Sequence, residues 1–183
     1  MPKIVDHDQR RREILNGCFD LFATHGYAAL SMRKMATKLG VTTGVLYHYF
    51  DGKQAIFEQI FASRSATDVA MATADIKAGT DPHQRLSILR SFLSNYGDEL
   101  MKTLQVALDH QRQDASSNIL ATTMRFYRQS LGEILGITDH DDQQVIVSVI
   151  LGWLVQRILE GEPLDVGAHV NGIERLIMTT TQN

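Results

Sequence analysis

The sequence predicts an all-α protein. Apolar residues recur at spacings of three and four along most of its 183 residues, and no segment alternates convincingly with period two. Its 13 glycines and 3 prolines are too few for a turn-rich β sandwich or barrel. The length suits one domain, or one domain with a small module, and the core needs no disulfide or metal.

The first half of the chain shows clear helix boundaries. Gly26 follows the first apolar-periodic segment, at a position typical of a helix C-cap. Ser31 is a good N-cap for a short second helix, and Thr42 or Thr43 caps a short third one. A long helix is then expected to start near Asp51.

The second half carries similar signals. Asp81 and Pro82 form a helix start, an N-cap followed by proline in the first turn. Residues 145–155 are rich in β-branched residues and fit a buried strand, but the apolar pattern continues to Leu159 and favours a helix. The later breaks are predicted at Gly136, at Asp139-His140-Asp141-Asp142 and at Gly161-Glu162-Pro163. The predicted helices, about nine, cover residues 8–24, 31–39, 43–50, 51–78, 82–96, 98–113, 116–135, 142–160 and 165–181.

The net charge of −3 conceals an uneven distribution of charge. Taken over the whole chain, it argues against a polyanionic partner. Residues 1–53, however, hold eight Lys and Arg against five Asp and Glu, a net charge of +3, which leaves −6 for the rest. This asymmetry suggests nucleic acid as the partner of the first part and a different partner for the second.

Several classes of protein are disfavoured. A single cysteine, no run of 18 apolar residues and no signal-peptide pattern predict a soluble protein of the reducing cytoplasm. The P-loop, dinucleotide-binding, nucleophile-elbow and zinc-protease motifs are all missing, so neither enzymatic activity nor a cofactor is expected. The contiguous acids at 139–142 have the wrong spacing for a helical metal site and suit a helix start.

Residues 31–50 carry the most information. Ala36 is small where two helices would cross closely, and Gly40, four residues later, supplies the positive φ of a tight turn. Leu46 then anchors the second helix. This spacing predicts a helix-turn-helix, with a plain helical corner as the alternative.

The second helix of this motif has two different sides. Thr43, Gly44, Tyr47 and His48 share one side, which is polar but uncharged, whereas the side of Leu46 is apolar. Small residues at the start of such a helix allow close approach to base edges in a major groove, and the aromatic residues reach bases or phosphates. The alternative is a solvated polar face.

Basic residues surround the motif. Lys53 lies in the first turn of a helix, where a cation opposes the macrodipole, so it is expected to clamp a DNA phosphate. The alternative is a solvated lysine whose stem covers Tyr49. Arg33 and Lys34 are placed to meet the DNA backbone, and Arg10-Arg11-Arg12 either follow the DNA or form a solvated basic run.

At these residues the sequence resembles the tetracycline-repressor (TetR) family of bacterial transcription regulators, over about residues 8–60. The departures from the family pattern are mild: Met35, Val45, Gly52 and Gln54 replace the usual residues, and none removes an expected DNA contact. The resemblance is carried by Phe22, Gly26-Tyr27, Ser31, Met35-Ala36, Leu39-Gly40-Val41-Thr42, Gly44, Leu46-Tyr47-His48-Tyr49-Phe50 and Lys53.

The resemblance implies a homodimeric regulator. Its three-helix DNA-binding head would cover residues 1–53, with the helix-turn-helix at about 31–50, and a helical ligand-binding and dimerisation domain would cover 54–183. The last two helices, about 142–160 and 165–181, would pair with those of a second subunit. The family's DNA contacts map onto Ser31, Arg33, Thr42, Thr43, Gly44, Tyr47, His48, Tyr49 and Lys53.

A ligand pocket is expected between the head and the dimer helices, because pockets in bundles have apolar walls with few polar anchors. For each residue the alternative is ordinary core, and His110 is also typical of a satisfied helical histidine. Cys18 is expected to serve packing. The candidate lining residues are Phe92, Tyr96, Met101, Leu104, His110, Met124, Phe126, Tyr127 and Trp153.

Together these features predict a dimeric transcriptional regulator, expected to be a repressor that a small molecule releases from a palindromic operator. Two alternatives remain open. One is a helical small-molecule-binding protein or enzyme in which the helix-turn-helix is only structural. The other is a protein-interaction module that uses Tyr47 and His48 as contact residues.

Overall fold

A computed structural model describes residues 6–161 and 165–180, and the side chains of residues 6–161 and 165–175. All regular elements in these described ranges are helices, as the sequence predicts. They are α1 (His7–His25), α2 (Met32–Lys38), α3 (Thr43–Tyr49), α4 (Lys53–Thr73), α5 (Pro82–Gln113), α6 (Ile119–Leu135), α7 (His140–Glu160) and α8 (Val166–Thr180).

Helix α1 has a cap at each end: Asp6, which was not predicted from the sequence, and Gly26, which was. Asp6 Oδ1 accepts from the backbone N–H groups of Asp8 and Gln9 at 3.0 and 3.1 Å and starts α1. Gly26 ends α1 with a φ of 77°. Asp6 supplies an acceptor for unpaired N–H groups of the first turn, and Gly26 supplies a backbone conformation that only glycine adopts readily.

Helix α5 corrects the prediction of two helices at 82–96 and 98–113. It is continuous over 32 residues, which gives eight described helices in place of nine. Gly97 lies in its interior, where a Cβ atom would come within 2.6 Å of both Trp153 and Arg157. Glycine is therefore required here by close packing against α7 rather than by the end of a helix.

The end of α4 also differs from the prediction. Helix α4 ends at Thr73 rather than near residue 78. The segment that follows is a turn, in which Gly79 has a φ of 88° and Thr80 Oγ1 accepts from the Lys77 N–H at 2.9 Å. The apolar pattern alone could not reveal that this local turn takes the place of a further helical turn.

Residues 145–155 are helical, so the alternative of a buried strand is wrong. Asp139 Oδ1 caps α7 by accepting from the N–H groups of Asp141 and Asp142 at 2.9 and 3.0 Å, which explains the acidic run. Gly161, with a φ of 69°, follows the last turn. Glu162 and Pro163 of the predicted break, and residue 181 of the last predicted helix, lie outside the described residues.

The chain divides into two compact units. Unit 1 contains the described residues up to Arg64 together with Thr103–Leu120, and unit 2 contains Ser65–Lys102 together with the described residues from Ala121 onward. Helices α4 and α5 each contribute residues to both units. Unit 1 thus combines the three N-terminal helices with the start of α4 and the end of α5.

The core of unit 1 is aromatic. Phe22, Phe57 and Phe61 are almost completely buried, and the ring centroids of Phe57 lie 5.4 Å from Phe22 and 4.7 Å from Phe61. Cys18 is fully buried among these helices, and burial raises the pKa of its thiol to about 12. The thiol is therefore protonated, as expected of a packing residue.

Unit 2 is held by long side chains at its helix ends. Arg85 donates to the backbone oxygens of Thr80 at 3.0 Å and Ile134 at 2.8 Å, so it connects the start of α5 to the end of α6. Tyr127 donates its hydroxyl to Asp68 Oδ2 at 2.6 Å. None of the helices in the described part of the chain is long and apolar enough to span a membrane.

Adding one methyl group at Gly97 is expected to destabilise the protein. Gly97→Ala gains helix propensity, but its Cβ meets the Trp153 ring, which is 1% exposed and has no room to move. Overpacking of this kind costs roughly 1–3 kcal/mol, so the urea midpoint should fall.

Gly44→Ala in α3 is the control, because the nearest heavy atom to its Cβ would be Thr42 Oγ1 at 3.7 Å, an ordinary contact. Its midpoint should stay or rise. Equal midpoints for Gly97→Ala and the wild type would contradict the packing role of Gly97.

Candidate nucleic-acid interface

A tight turn connects α2 to α3. Ser31 Oγ accepts from the Lys34 N–H at 3.3 Å and starts α2, while Ala36, 2% exposed, accepts from the Val41 N–H at 3.0 Å. Gly40 adopts a φ of 66° between the two helices. The helix-turn-helix predicted from the spacing of Ala36, Gly40 and Leu46 is therefore formed.

Helix α3, called the recognition helix below, has the two predicted sides. Leu46 is fully buried and fixes the helix on the core of unit 1. Gly44, Tyr47 and His48 are exposed, with Tyr47 at 56%. Tyr47 therefore exposes much of its aromatic ring to solvent, whereas tyrosine rings in folded proteins are usually mostly buried.

The hydroxyl groups on and beside the recognition helix can cap the helix and can also donate to an external group. Thr42 Oγ1 accepts from the Val45 N–H at 3.3 Å and so caps the recognition helix. Thr42 remains exposed, Thr43 is half-buried, and Ser31 and Arg33 at the start of α2 are exposed. A hydroxyl that accepts in a cap still has its own proton to donate.

Tyr49 lies at the end of the recognition helix and is half-buried. Its hydroxyl lies 3.3 Å from Nδ1 of His7, the first residue of α1. The end of the recognition helix therefore lies beside the first residue of α1. The sequence pattern gave no reason to include His7.

Lys53 has an internal role that the sequence did not reveal. Its ammonium donates to the backbone oxygens of Tyr27 and Leu30, both at 3.0 Å, and lies 3.8 Å from the centroid of the Tyr27 ring. Burial lowers the pKa of Lys53 from its ordinary value of 10.5. Two of its three N–H bonds are used internally, and the contact of Lys53 with a DNA phosphate stays a prediction. The alternative of a solvated lysine over Tyr49 is wrong, because the ammonium lies over Tyr27.

The basic run of α1 is also partly engaged. Arg11 donates through Nε to Gln59 Oε1 at 3.0 Å, and its guanidinium lies 5.1 Å from the centroid of Phe50. Arg10 forms an ion pair of 2.9 Å with Glu13. Arg12 is exposed. Arg11 therefore contributes to packing, while Arg12 keeps the exposure that a DNA contact needs.

A buried polar network joins α4 and α5 within unit 1. Gln54 Oε1 lies 2.9 Å from the Tyr27 hydroxyl and 3.1 Å from His110 Nε2. Because Gln54 Nε2 donates to Glu58 at 3.2 Å, the oxygen must face Tyr27 and His110, and both must donate to it. His110 therefore carries its proton on Nε2.

His110 is positioned by its neighbours on all sides. It is 2% exposed and stacks on Phe57 with ring centroids 4.1 Å apart. Asp109 Oδ2 accepts from the Tyr27 N–H at 2.9 Å, which ties the same turn of α5 to the residue after Gly26. His110 thus agrees with the alternative of a satisfied helical histidine. Gln54, a departure from the family pattern, was the one signal of this network.

Burial lowers the pKa of His110 from its ordinary value of 6.5, and the nearby Lys53 charge acts in the same direction. Asp114, Asp109 and Glu58 oppose this shift. The neutral imidazole is therefore the form that fits the folded protein.

The other predicted pocket residues are divided between the two units, and their role in a pocket stays a prediction. Leu104 belongs to the buried part of α5 in unit 1. In unit 2, Trp153 is buried, Phe92, Met101, Met124 and Tyr127 are half-buried, and Tyr96 and Phe126 are 38% and 40% exposed. Within the described residues, no three His, Cys, Asp or Glu side chains cluster as metal ligands would.

Comparison with known proteins gives consistent matches. Residues 14–60 match the family model of bacterial regulatory proteins of the tetR family. The HTH-type transcriptional repressor Rv1474c of Mycobacterium tuberculosis is 27% identical to this chain, over 97% of this chain and 98% of the repressor.

Two solved structures show the same fold. A TetR transcription regulator from Haloarcula marismortui has a TM-score of 0.74 at 17% identity, over 92% of this chain and 96% of that one. The multidrug binding protein EbrR, complexed with malachite green, has a TM-score of 0.73 at 23% identity, over 91% of this chain and 97% of that one.

The fold and the exposed recognition helix define a DNA-binding transcriptional regulator of the helix-turn-helix type, not an enzyme. Its residues 14–60 match the tetR family of bacterial regulatory proteins, and the whole chain is similar to an HTH-type transcriptional repressor.

The stability of the protein is expected to fall in mild acid because of His110. Its pKa is lower folded than unfolded, so the unfolded chain binds more protons at and below pH 6.5. The contribution of His110 to the free energy of unfolding is complete above pH 6.5 and is lost as the pH falls, by up to about 1.4 kcal/mol per pH unit. Urea unfolding from pH 7.5 to pH 5 measures the slope.

His110→Gln should show a smaller slope, while His25→Gln, which replaces an exposed residue of α1, should keep that of the wild type. Identical slopes for His110→Gln and the wild type would show that His110 is protonated alike in both states.

Proposed function

We propose that the chain forms a homodimer that represses transcription from a near-palindromic operator and is released by a small molecule. Each recognition helix enters a major groove, and the half-sites lie about 34–36 Å apart or a multiple of that. The observation that carries the proposal is the exposed side of α3, where Gly44, Tyr47 and His48 are held outward by the buried Leu46.

The recognition helix suits direct contact with bases. An added Cβ at Gly44 would meet only Thr42 Oγ1 within 4 Å, at 3.7 Å, so the backbone there has open space in front of it. Thr43 and Thr42 supply hydroxyl and methyl groups, which contact base edges and thymine methyls. Tyr47 and His48, at the other end of the helix, are placed for bases or the sugar-phosphate backbone.

Arg33 is the strongest candidate for a backbone contact. It is exposed in the first turn of α2, next to the Ser31 cap, whereas the Lys53 ammonium is occupied by two carbonyl oxygens. A contact of Lys53 with DNA is limited to its remaining N–H bond. Phosphate contacts of this kind position a regulator without reading sequence.

An apolar or aromatic effector is the expected ligand of the larger domain, which the proposal places at residues 54–183. EbrR, a structural relative, was solved with malachite green. In this chain, Phe92 and Tyr96 have ring centroids 5.3 Å apart, and Tyr96 is partly exposed. Partly exposed aromatic rings are the usual walls of a ligand site in a helical bundle.

The effector would act through helices that contribute to both units. Helix α5 is continuous from Pro82 to Gln113, and its last turns carry Asp109 and His110. These two residues hold Tyr27 and Gln54 in unit 1. A shift of α5 on ligand binding would therefore disturb the hydrogen bonds that support the helix-turn-helix, with a coupling of about 1–3 kcal/mol.

Dimerisation through α7 and α8 is supported by one face of α7. Along it, Val145, Val155 and Leu159 are 44%, 41% and 78% exposed, and their helical positions place them on one side of α7. Ser148 and Gly152, small and exposed, lie on the same side. Such a stripe is covered most simply by the same stripe of a second copy. We place the regulator in the cytoplasm, where its operator DNA is.

Substitutions on the recognition helix and beside it should act differently on DNA binding. Thr43→Ala should change sequence preference by about 1–3 kcal/mol at one base position, because it alters a base contact. Arg33→Ala should weaken specific and random duplexes alike and reduce the salt slope by about 1. Fluorescence anisotropy with DNA upstream of the protein's own gene, at several salt concentrations, measures both.

Lys77→Ala is the control, since Lys77 is an exposed cation in the turn after α4. It should leave both quantities unchanged. Equal affinity of the wild type for upstream and random duplexes would contradict the function and favour a helical ligand-binding protein in which the motif is structural.

Introducing charge on the exposed face of α7 should dissociate the dimer. Leu159→Glu combined with Val155→Glu places two carboxylates opposite their copies, and desolvating them outweighs the apolar contact that is lost. Equilibrium sedimentation at micromolar concentration should show dimer for the wild type and monomer for the variant. Leu108→Glu, at a residue that is 46% exposed on α5, is the control and should remain dimeric. A monomeric wild type would contradict the two-headed mechanism.

A further inference from the structure

The first residue of α1 lies against the end of the recognition helix. The ring centroid of His7 is 6.1 Å from that of His48 and 6.0 Å from that of Tyr49. Both histidines are exposed, and the two rings of His48 and Tyr49 are themselves 5.1 Å apart. Three rings from two helices thus form a small exposed cluster, which we call the His7 cluster.

The contact with Tyr49 involves only the Nδ1 atom of His7. Tyr49 Oη lies 3.3 Å from His7 Nδ1. When the hydroxyl donates to Nδ1, the neutral imidazole carries its proton on Nε2, and the protonated ring carries one there as well. Within the described residues, Nε2 of His7 has no hydrogen-bond partner, so this N–H is available to an external acceptor.

Asp6, Arg10 and Arg11, three of the charged groups near His7, are already engaged. Asp6 caps α1 through Oδ1, Arg10 pairs with Glu13, and Arg11 binds Gln59. Asp8 is exposed in the first turn, and His48 and Tyr49 are the titratable groups contributed by the recognition helix. A direct ion pair does not hold the His7 ring within the described residues, which leaves it free to meet an anion.

We propose that His7 binds a phosphate of the operator together with His48, so that the DNA-contact surface continues from the recognition helix onto the first turn of α1. The inference rests on the proposed DNA binding through α3. When α3 lies in a major groove, the phosphates that border the groove pass beside the helix end, where His48 and Tyr49 hold the His7 ring. A phosphate oxygen accepts from Nε2–H, and the imidazolium form adds charge attraction.

Proton uptake should accompany this contact. Histidine is the side chain that changes its charge between pH 5 and pH 8, and a bound phosphate favours the charged form. Operator affinity is therefore expected to fall as the pH rises from 6 to 8. A purely structural role of His7 in holding Tyr49 has no reason to follow this pH dependence.

The experiment measures the dissociation constants of the full-length protein for upstream and random duplexes at pH 6 and pH 8, over a range of salt. His7→Gln should weaken both duplexes roughly 3- to 10-fold at pH 6 and less at pH 8. It should reduce the salt slope at pH 6 by about 1. Sequence preference should not change, because a phosphate contact carries no sequence information.

Two further variants separate contact from positioning. His25→Gln, at the opposite end of the same helix, should bind as the wild type does. Tyr49→Phe removes the hydroxyl that faces His7 but keeps the ring, and should retain the pH dependence of the wild type, which His7→Gln weakens. Circular dichroism establishes that each variant is folded.

The outcomes distinguish this inference from the proposed function. A wild type that prefers upstream DNA, with a His7→Gln variant of unchanged affinity and salt slope, overturns only the role of His7. An equal loss at pH 6 and pH 8 with an unchanged salt slope also overturns it, since that pattern belongs to a structural residue. A wild type without preference for upstream DNA overturns the proposed function itself.

Discussion

The helix-turn-helix of this protein depends on a small set of partly buried hydrogen bonds around Tyr27. The Lys53 ammonium holds the backbone oxygens of Tyr27 and Leu30, Asp109 holds the Tyr27 N–H, and Gln54 accepts from the Tyr27 hydroxyl and from His110. A buried network in which every partner is satisfied is stiff, and removing one member leaves polar groups unpaired at a high cost. The connection between α1 and α2 is therefore fixed by α4 and α5.

This constraint links the two tasks of the proposed regulator. The same helix, α5, begins in unit 2 and ends with Asp109 and His110 in unit 1. A ligand that moves α5 would change the supports of the helix-turn-helix rather than its exposed surface. The side chains of the recognition helix can then keep their chemistry while their placement on DNA changes, which is how a regulator can lose affinity without losing sequence preference.

Most of the local structure was predictable from the sequence because its signals are short-range. The caps at Ser31 and Thr42, the positive φ at Gly40 and the buried anchor Leu46 follow from the chemistry of single residues at a fixed spacing. The exposed side of α3 follows from helical periodicity for the same reason. The break predicted between residues 96 and 98 was wrong because Gly97 is needed for close packing against Trp153. Trp153 lies 56 positions further along the chain, and helical periodicity does not give its place in the fold.

The sequence by itself thus determined the helical class, the helix-turn-helix and the exposed side of α3, since all of these are set within about one or two helical turns. Only the tertiary structure decided which groups Lys53, His110 and His7 contact. The ammonium of Lys53 finds carbonyls 23 and 26 residues away, and His110 finds Gln54 56 residues away. Whether a polar side chain points to solvent or to a buried partner depends on which distant segments fold against it, and no local pattern encodes that choice.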